Sequence, residues 1–218
     1  MIKHWIEWIV SLIYPKKCEI CSQLIPYDMD LCNNCKNIIK PIFKIRKLEY
    51  IPRKFSLCIS LFNYSGLIRE AVCKFKFHGG RELSKYFVHN VSYKSIKNLI
   101  KCEIDYITCV PLSNKRRKSR GYNQAECFAR DLSKKINIPY KDFLDKIVDN
   151  PPQHELSAEQ RVRNVCGIYK ILNGSDIKGK NILLCDDIIT TGSTMKECIK
   201  TLKINGANKV YCCTIASA

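Results

Sequence analysis

The chain has 218 residues, 46% of them hydrophobic, so it can bury a substantial core and is not an intrinsically disordered protein. Its 37 lysine and arginine residues against 20 acidic residues give a formal net charge of +17. This surplus favours an anionic partner: nucleic acid, a phosphorylated small molecule or an acidic membrane surface. Part of the surplus is expected to be solvated surface without a partner, because lysine is spread through the whole chain.

The N-terminal stretch MIKHWIEWIVSLIYPKK is apolar between Trp5 and Tyr14. It contains Glu7, lacks the small-residue cleavage pattern of an export signal and is too short to span a bilayer. We therefore predict an amphipathic helix that packs on the rest of the protein, with a helix on a membrane surface as the alternative. Ten of the 14 cysteines stand outside any regular close spacing, which is typical of reduced thiols in a cytoplasmic protein.

The other four cysteines form two CxxC pairs, Cys18 with Cys21 and Cys32 with Cys35, separated by ten residues. Two such pairs place four thiolates around one ion, in the tetrahedral arrangement that Zn²⁺ takes in structural sites. Four thiolate ligands leave no open coordination position, so the predicted metal is structural and not catalytic. Two alternatives remain: an iron ion held by the same ligands, or two redox-active pairs.

From about residue 55 onward, apolar β-branched runs alternate with helical patterns, which indicates an α/β fold. We predict strands at residues 56–64, 104–110, 166–171, 181–185 and 209–216. We predict helices at residues 66–80, 82–101, 123–136 and 193–204. In folds of this class the strands are mainly parallel, and the ligand lies at their carboxyl ends.

The C-terminal part contains LLCDDIITTGST at residues 183–194. Asp186 and Asp187 are expected where the strand ends, before a turn that leads into the next helix. Gly192 allows a ligand to approach the backbone closely, and the free amides and hydroxyls of the turn are donors for a phosphate. The two carboxylates would repel that phosphate and suit vicinal ribose hydroxyls instead. The motif favours a sugar phosphate, and a helix cap followed by an ordinary loop is the alternative.

These residues resemble the phosphoribosyl pyrophosphate (PRPP) motif of type I phosphoribosyltransferases. In that family the paired acids hold the ribose 2′ and 3′ hydroxyls, and the TTGxT turn surrounds the 5′-phosphate. A nucleoside triphosphate is disfavoured, since the chain has no GxxxxGK[ST] motif. The resemblance implies a site for PRPP, bound together with Mg²⁺, at Asp186, Asp187, Thr190, Thr191, Gly192, Ser193 and Thr194.

Three further segments and the four-cysteine module resemble the ComF family of competence-associated proteins, over nearly the whole chain. The segments are KFHGGRELSKY (76–86), VPLSNKRRKSRGYNQA (110–125) and QHELSAEQRVRNVCGIY (153–169). This resemblance implies an α/β domain of the type I phosphoribosyltransferase kind at residues 48–218, with a mainly parallel sheet flanked by helices. A helix and a small four-cysteine zinc module would precede it at residues 1–47.

The resemblance also implies how pyrophosphate is held. The turn at residues 110–112 would be the pyrophosphate loop, and residues 153–164 would close over PRPP. Forked guanidinium groups suit a dense anion. The implied pyrophosphate contacts are Lys76, Arg116, Arg120 and Arg161. Position 113 is serine where the family commonly has histidine, so no proton transfer is assigned to it.

Residues 115–120 carry five cations in six positions. Besides pyrophosphate, this stretch suits single-stranded nucleic acid, with Lys115, Arg117 and Lys118 as candidate contacts, or a solvated surface.

Two functions are consistent with these observations. The first is a PRPP-binding protein of the ComF type that acts in DNA uptake and natural transformation in the cytoplasm, engages single-stranded DNA and works alongside a DNA-uptake helicase. The second is an active phosphoribosyltransferase of nucleotide metabolism with an unidentified acceptor. In that case the site would position PRPP and stabilise the departing pyrophosphate without a covalent intermediate. No residue is assigned as catalytic.

Overall fold

The structure is a computed structural model that describes residues 15–77, 80–101, 103–147, 167–173 and 176–218. The helix predicted at Trp5 to Tyr14 and the closing loop predicted at residues 153–164 lie outside these ranges. Within them the chain forms a mainly parallel sheet with helices on both faces, as the α/β prediction requires.

Seven strands and seven helices occur in the described residues. The strands are β1 (Lys44–Ile51), β2 (Lys54–Asn63), β3 (Tyr106–Cys109), β4 (Leu144–Lys146), β5 (Tyr169–Ile171), β6 (Asn181–Ile189) and β7 (Lys209–Ser217). The helices are α1 (Asn33–Ile38), α2 (Gly66–Phe77), α3 (Leu83–Val88), α4 (Tyr93–Ile100), α5 (Asn114–Arg120), α6 (Gln124–Ile136) and α7 (Ser193–Ile204).

Five of the strands form the main sheet in the order β1-β2-β7-β6-β3. Strands β2, β7, β6 and β3 are parallel, and β1 pairs with β2 as an antiparallel hairpin at the edge. The remaining two strands, β4 and β5, form a separate antiparallel pair. The carboxyl ends of the four parallel strands therefore meet at one edge of the sheet.

Strand β6 shows why the central strands contain continuous apolar runs. Ile182 and Leu184 are fully buried in the hydrophobic cluster that contains residues of α7. Leu183 and Cys185 are fully buried in the cluster on the opposite face, with residues of α2, α3 and α6. Because successive side chains point to opposite faces, a strand covered on both sides reads as a continuous apolar run.

The four-cysteine module packs directly on the main domain. Ile20 and Leu31 belong to the same buried cluster as Phe75 and Phe87. The Lys74 Nζ donates to the Glu19 carbonyl oxygen at 2.6 Å. The boundary predicted between residues 47 and 48 lies inside β1, and the division into two domains stays a prediction.

Two of the predicted elements differ from those observed. The helix predicted at residues 82–101 is two helices, α3 and α4, because Ser92 starts the second one by accepting a hydrogen bond from the Ser95 amide at 3.1 Å. The strand predicted to end at Cys185 continues to Ile189. It does so because β7 extends alongside it, so that residues 186–189 pair with residues 214–217.

Two further elements were missed or placed differently. Strand β1 was not predicted, since its residues resemble a basic flank of the four-cysteine module. The strand predicted near residues 166–171 is present as β5 but belongs to the small antiparallel pair.

We expect Phe128→Ala to destabilise the fold. Phe128 is fully buried on α6, which packs on β3 and β6. Its truncation should lower the free energy of unfolding by about 3–5 kcal/mol. Lys134→Ala, at an exposed position of the same helix, should change it by no more than about 0.5 kcal/mol. Equal urea midpoints for the two variants would contradict this packing.

Candidate functional site

A cavity of about 340 Å³ lies at the carboxyl edge of the sheet. The segments after β2 and β3, the end of β6 and the start of α7 surround it, as the α/β rule predicts. Its lining residues are Tyr64, Lys76, Val110, Pro111, Leu112, Arg116, Arg120, Lys146, Tyr169 and residues 186–195. The structure thus brings together the acid pair, the threonine-rich turn and three of the predicted pyrophosphate contacts. The fourth of these contacts, Arg161, lies outside the described residues.

The two carboxylates are oriented by their own backbone. The Asp187 amide donates to Asp186 Oδ1 at 2.8 Å, and the Ile188 amide donates to Asp187 Oδ1 at 2.6 Å. Both side chains stay partly exposed and line the cavity. Their remaining oxygen atoms are the acceptors that ribose hydroxyls would use.

Lys76 crosses the cavity from the end of α2. Its Nζ lies 3.1 Å from Asp187 Oδ2, and the exposed fractions of the two side chains are 18% and 13%. The predicted pyrophosphate contact is therefore paired with one of the predicted ribose contacts. A ligand that contacts these two residues has to bind to the intact ion pair or break it.

The turn at residues 190–194 forms a small hydroxyl cluster. Gly192 has a left-handed φ of +79°, and a Cβ at this position would lie 3.1 Å from Leu48 Cδ2. Glycine is therefore required here by both backbone conformation and space. Thr191 Oγ1 and Ser193 Oγ are 2.9 Å apart, and the first turn of α7 begins at Ser193. The amides of this first turn have no partner within the helix and suit an anion.

Strand β1 supports the same turn from behind, which the sequence did not indicate. Arg46 Nη1 donates to the Thr190 carbonyl oxygen at 2.7 Å. Leu48, fully buried two residues later, packs under Gly192. The alternation of Arg46, Leu48 and Tyr50 on one strand face is the only sequence signal that could have revealed this contact.

The basic stretch at residues 115–120 lies on helix α5, and the helix places its cations on two different sides. Arg116 and Arg120, one turn apart, line the cavity. The other three cations, at positions 115, 117 and 118, are exposed. Arg117 Nη2 donates to Glu126 Oε2 at 2.7 Å, so its charge is already paired.

Ser113 has a structural part in this arrangement. It is 2% exposed, and its hydroxyl accepts a hydrogen bond from the Arg116 amide at 3.5 Å at the start of α5. Gly121, with φ of +77°, ends the helix. Arg120 is held further by a 3.1 Å hydrogen bond to Gln124 Oε1 and by the Phe77 ring 5.2 Å away. Serine at position 113 thus serves as a helix cap.

Three lining residues were not predicted: Tyr64, Lys146 and Tyr169. Burial raises the pKa of Tyr169, with the neighbouring Cys198 and Asp186 acting in the same direction, so its hydroxyl is neutral. Lys146 adds another cation from β4. Lys146 lies outside the segments that carry the resemblance, and Tyr169 is the last residue of the 153–169 segment, so no predicted role placed either of them at the cavity.

The four cysteines of the two CxxC pairs come together near the N-terminus. Their Sγ atoms all lie within 4.8 Å of one another. Backbone amides already point at the cluster: the Cys32 amide donates to Cys18 Sγ at 3.4 Å, and the Cys35 amide to Cys32 Sγ at 3.4 Å. Four converging thiols of this kind can hold one tetrahedral metal ion. The described residues contain no other cluster of this kind.

Comparison with known proteins finds relatives over most of the chain. The family model for the phosphoribosyl transferase domain matches residues 123–218. Competence protein F of Haemophilus influenzae is 25% identical over 203 residues, which cover 92% of this chain and 84% of that protein. The chain is similar to the ComF competence proteins over most of its length.

Two other relatives agree with this resemblance. DNA utilization protein YhgH of Salmonella typhimurium is 24% identical over 199 residues, 88% of this chain and 86% of that protein. Competence protein ComFC of Bacillus subtilis is 29% identical over 147 residues, 67% of this chain and 58% of that protein. The ComF resemblance and the type I phosphoribosyltransferase fold are thereby confirmed.

No helix in the described part of the chain has the length and apolar character needed to cross a membrane. The longest of them, α6, has 13 residues.

Asp186, which lines the cavity, has a strongly raised pKa. Burial, followed by the charge of Asp187, raises the pKa of Asp186 to about 8, although the Asp187 amide and the charges of Lys76 and Arg120 act against this shift. The carboxyl group therefore holds a proton in the free protein at neutral pH. Deprotonation then depends on a ligand or cation that replaces the lost hydration.

This shift predicts a pH-dependent stability. The folded chain keeps a proton on Asp186 that the unfolded chain releases at its ordinary carboxyl pKa, so stability should fall as pH rises from about 4 to about 8. The slope from this one group is at most about 1.4 kcal/mol per pH unit. Asp186→Asn should flatten the profile in urea titrations, whereas Asp28→Asn at an exposed position should leave it unchanged. Parallel profiles for Asp186→Asn and the wild type would contradict the burial argument.

Proposed function

We propose that the cavity binds PRPP together with Mg²⁺. The observation that carries the proposal is the convergence of three chemically different groups on one space: the acid pair, the 190–194 turn and the cations Lys76, Arg116 and Arg120. PRPP has a ribose diol, a 5′-phosphate and a pyrophosphate, each suited to one of these groups. The Mg²⁺ ion would arrive with the substrate and neutralise part of the pyrophosphate charge.

In this proposal Asp186 and Asp187 accept hydrogen bonds from the ribose 2′ and 3′ hydroxyls. The amides and hydroxyls of the turn hold the 5′-phosphate. Arg116 and Arg120, fixed on α5, contact the pyrophosphate. Binding releases Lys76 from Asp187, so that the ammonium group can turn towards the pyrophosphate while the carboxylate binds the diol.

We propose further that the protein acts on incoming single-stranded DNA in the cytoplasm, in DNA uptake and natural transformation, alongside a helicase. Two observations support this role. Relatives over most of the chain are named as competence and DNA utilization proteins. The net charge of +17 favours an anionic polymer.

Transferase activity is the second candidate, favoured by the same cavity. The guanidinium groups beside the pyrophosphate position would stabilise the negative charge that develops when the bond between ribose C1 and pyrophosphate breaks. An acceptor nucleophile would form the new bond to C1. Release of pyrophosphate from PRPP in the presence of a candidate acceptor separates this activity from binding alone.

The PRPP proposal predicts a loss of affinity in Asp186→Asn/Asp187→Asn. Each hydrogen bond to a charged acceptor is worth about 1.5–3 kcal/mol, so the double change should weaken binding by at least about 100-fold in calorimetry with PRPP and Mg²⁺. Arg116→Ala should weaken binding of pyrophosphate and leave ribose 5-phosphate binding nearly unchanged.

The matched control is Glu70→Gln/Glu82→Gln, which removes two exposed carboxylates that do not line the cavity. It should bind PRPP as the wild type does. The site assignment would be refuted if calorimetry shows no heat of PRPP binding to the wild-type protein and if PRPP does not compete with pyrophosphate for that protein.

We propose that the four-cysteine cluster holds a structural Zn²⁺ ion. Closed S₄ coordination and packing of the module on α2 both fit an ion that stabilises and does not react. The same ligands would accept iron, so the metal itself has to be measured.

Elemental analysis of the purified protein should find one zinc ion per chain. Cys35→Ser removes a ligand and should weaken zinc binding by more than about 100-fold in chelator competition. Cys73→Ser changes a half-buried thiol outside the cluster and should retain the ion. Stoichiometric iron would overturn the choice of metal, and a metal-free wild type would overturn the site.

A further inference from the structure

The hairpin of β1 and β2 carries a concentration of exposed positive charge. Five cations lie between residues 44 and 54, all with exposed side chains: Lys44, Arg46, Lys47, Arg53 and Lys54. The one acid in this range, Glu49, accepts a hydrogen bond from the Arg53 amide at 2.8 Å and so serves the hairpin turn.

Carboxylates of the described residues do not neutralise these charges. None of the five forms an ion pair with a carboxylate of the described residues. This differs from α5, where Arg117 is paired with Glu126 and where Arg116 and Arg120 line the cavity. Of the two basic segments, the hairpin therefore offers more uncompensated charge to a partner.

Beside the hairpin is a groove of about 260 Å³ at the amino end of β7, away from the PRPP cavity. Three aromatic residues contribute to its lining, and Phe55 is 56% exposed. Lysines stand beside the rings. The lining residues are Tyr50, Phe55, Ser56, Leu57, Lys203, Asn208, Lys209, Val210 and Tyr211.

The antiparallel pairing of β1 with β2 places the Lys47 charge and the Phe55 ring on the same face of the sheet. Directly opposed residues of antiparallel strands share a face, and Lys47 is opposite Leu57 while Glu49 is opposite Phe55. Lys47 and Phe55 are therefore diagonal neighbours on one surface. Lys54 precedes Phe55 in the chain, and Lys209 lines the same groove.

We propose that single-stranded nucleic acid binds along this surface, with its phosphates on Lys47, Arg53 and Lys54 and a base against Phe55 in the groove. The proposal deepens the proposed function, since it assigns the DNA-binding surface to the hairpin. Proteins that bind single strands without sequence preference combine a positive track for the backbone with aromatic rings for the bases. A duplex has its bases stacked and offers no free base to the groove. A run of acidic side chains or a phospholipid headgroup such as phosphoserine has no planar ring to place there.

The proposal separates two contributions that can be measured independently. Loss of phosphate contacts lowers the salt dependence of binding, by about 0.7 per contact in log–log slope for a single strand. Loss of base stacking lowers affinity at every salt concentration and leaves the slope unchanged.

The test is fluorescence anisotropy of the full chain with a labelled oligothymidylate across a salt series. Lys47→Ala/Lys54→Ala should reduce the slope by about 1.4, and Phe55→Ala should weaken binding about tenfold at unchanged slope. Lys115→Ala/Lys118→Ala, matched in charge on the exposed side of α5, should bind like the wild type. Ultraviolet cross-linking to the oligonucleotide should label the peptide that contains Phe55. Circular dichroism and the urea midpoint establish that each variant is folded.

Three results would overturn the proposal. The first is an unchanged affinity and slope in both hairpin variants together with a loss in the α5 variant, which would move the surface to α5. The second is stronger binding to polyglutamate or anionic vesicles than to the oligonucleotide, which would indicate another class of partner. The third is no oligonucleotide binding by the wild type. The PRPP site is judged separately by calorimetry, so its failure and that of the hairpin surface are distinguishable.

Discussion

Parallel pairing of β6 with β7 extends from Asn181 to Ile189, past Cys185, where the apolar run ILLC ends. The backbone there is held by its neighbour, so Asp186 and Asp187 project from a rigid strand and not from a loop. The same pairing sets the position at which the chain turns into α7, and Gly192 makes that turn against Leu48. Acid pair, turn and helix start are therefore fixed relative to one another before a ligand arrives, which limits the ordering entropy that binding costs.

The negative charge of the acid pair in the cavity is compensated by cations that come from other elements of the fold. Lys76 comes from α2, Arg116 and Arg120 come from α5, and all three reach a site built on β6. The ion pair of Lys76 with Asp187 keeps a partly buried carboxylate compensated in the free protein. In the proposed function this pair is exchanged for contacts to PRPP, so the same residues stabilise the empty and the occupied cavity.

Strand β1 connects three parts of the molecule. It follows the four-cysteine module in the chain, forms the edge hairpin and supports the cavity through Arg46 and Leu48. Its outer residues carry the positive charge to which we assign nucleic-acid binding. An edge strand rich in lysine and arginine also resists pairing with a second sheet edge, which gives this composition a structural use besides the proposed one.

The sequence alone was enough to predict the class of fold, the four-cysteine cluster and the candidate phosphate site. Strand and helix periodicity, the CxxC spacing and the DDxxTTGST motif are local patterns, and local geometry suffices to interpret them. The cations that reach the cavity follow from the tertiary fold, since Arg116 lines the cavity whereas its neighbour Arg117 pairs with Glu126. The tertiary structure also decided that β6 continues to Ile189, that Ser113 caps α5 and that β1 lies behind the turn. These features depend on residues distant in the chain, such as the pairing of residues 186–189 with 214–217, and no local pattern records them.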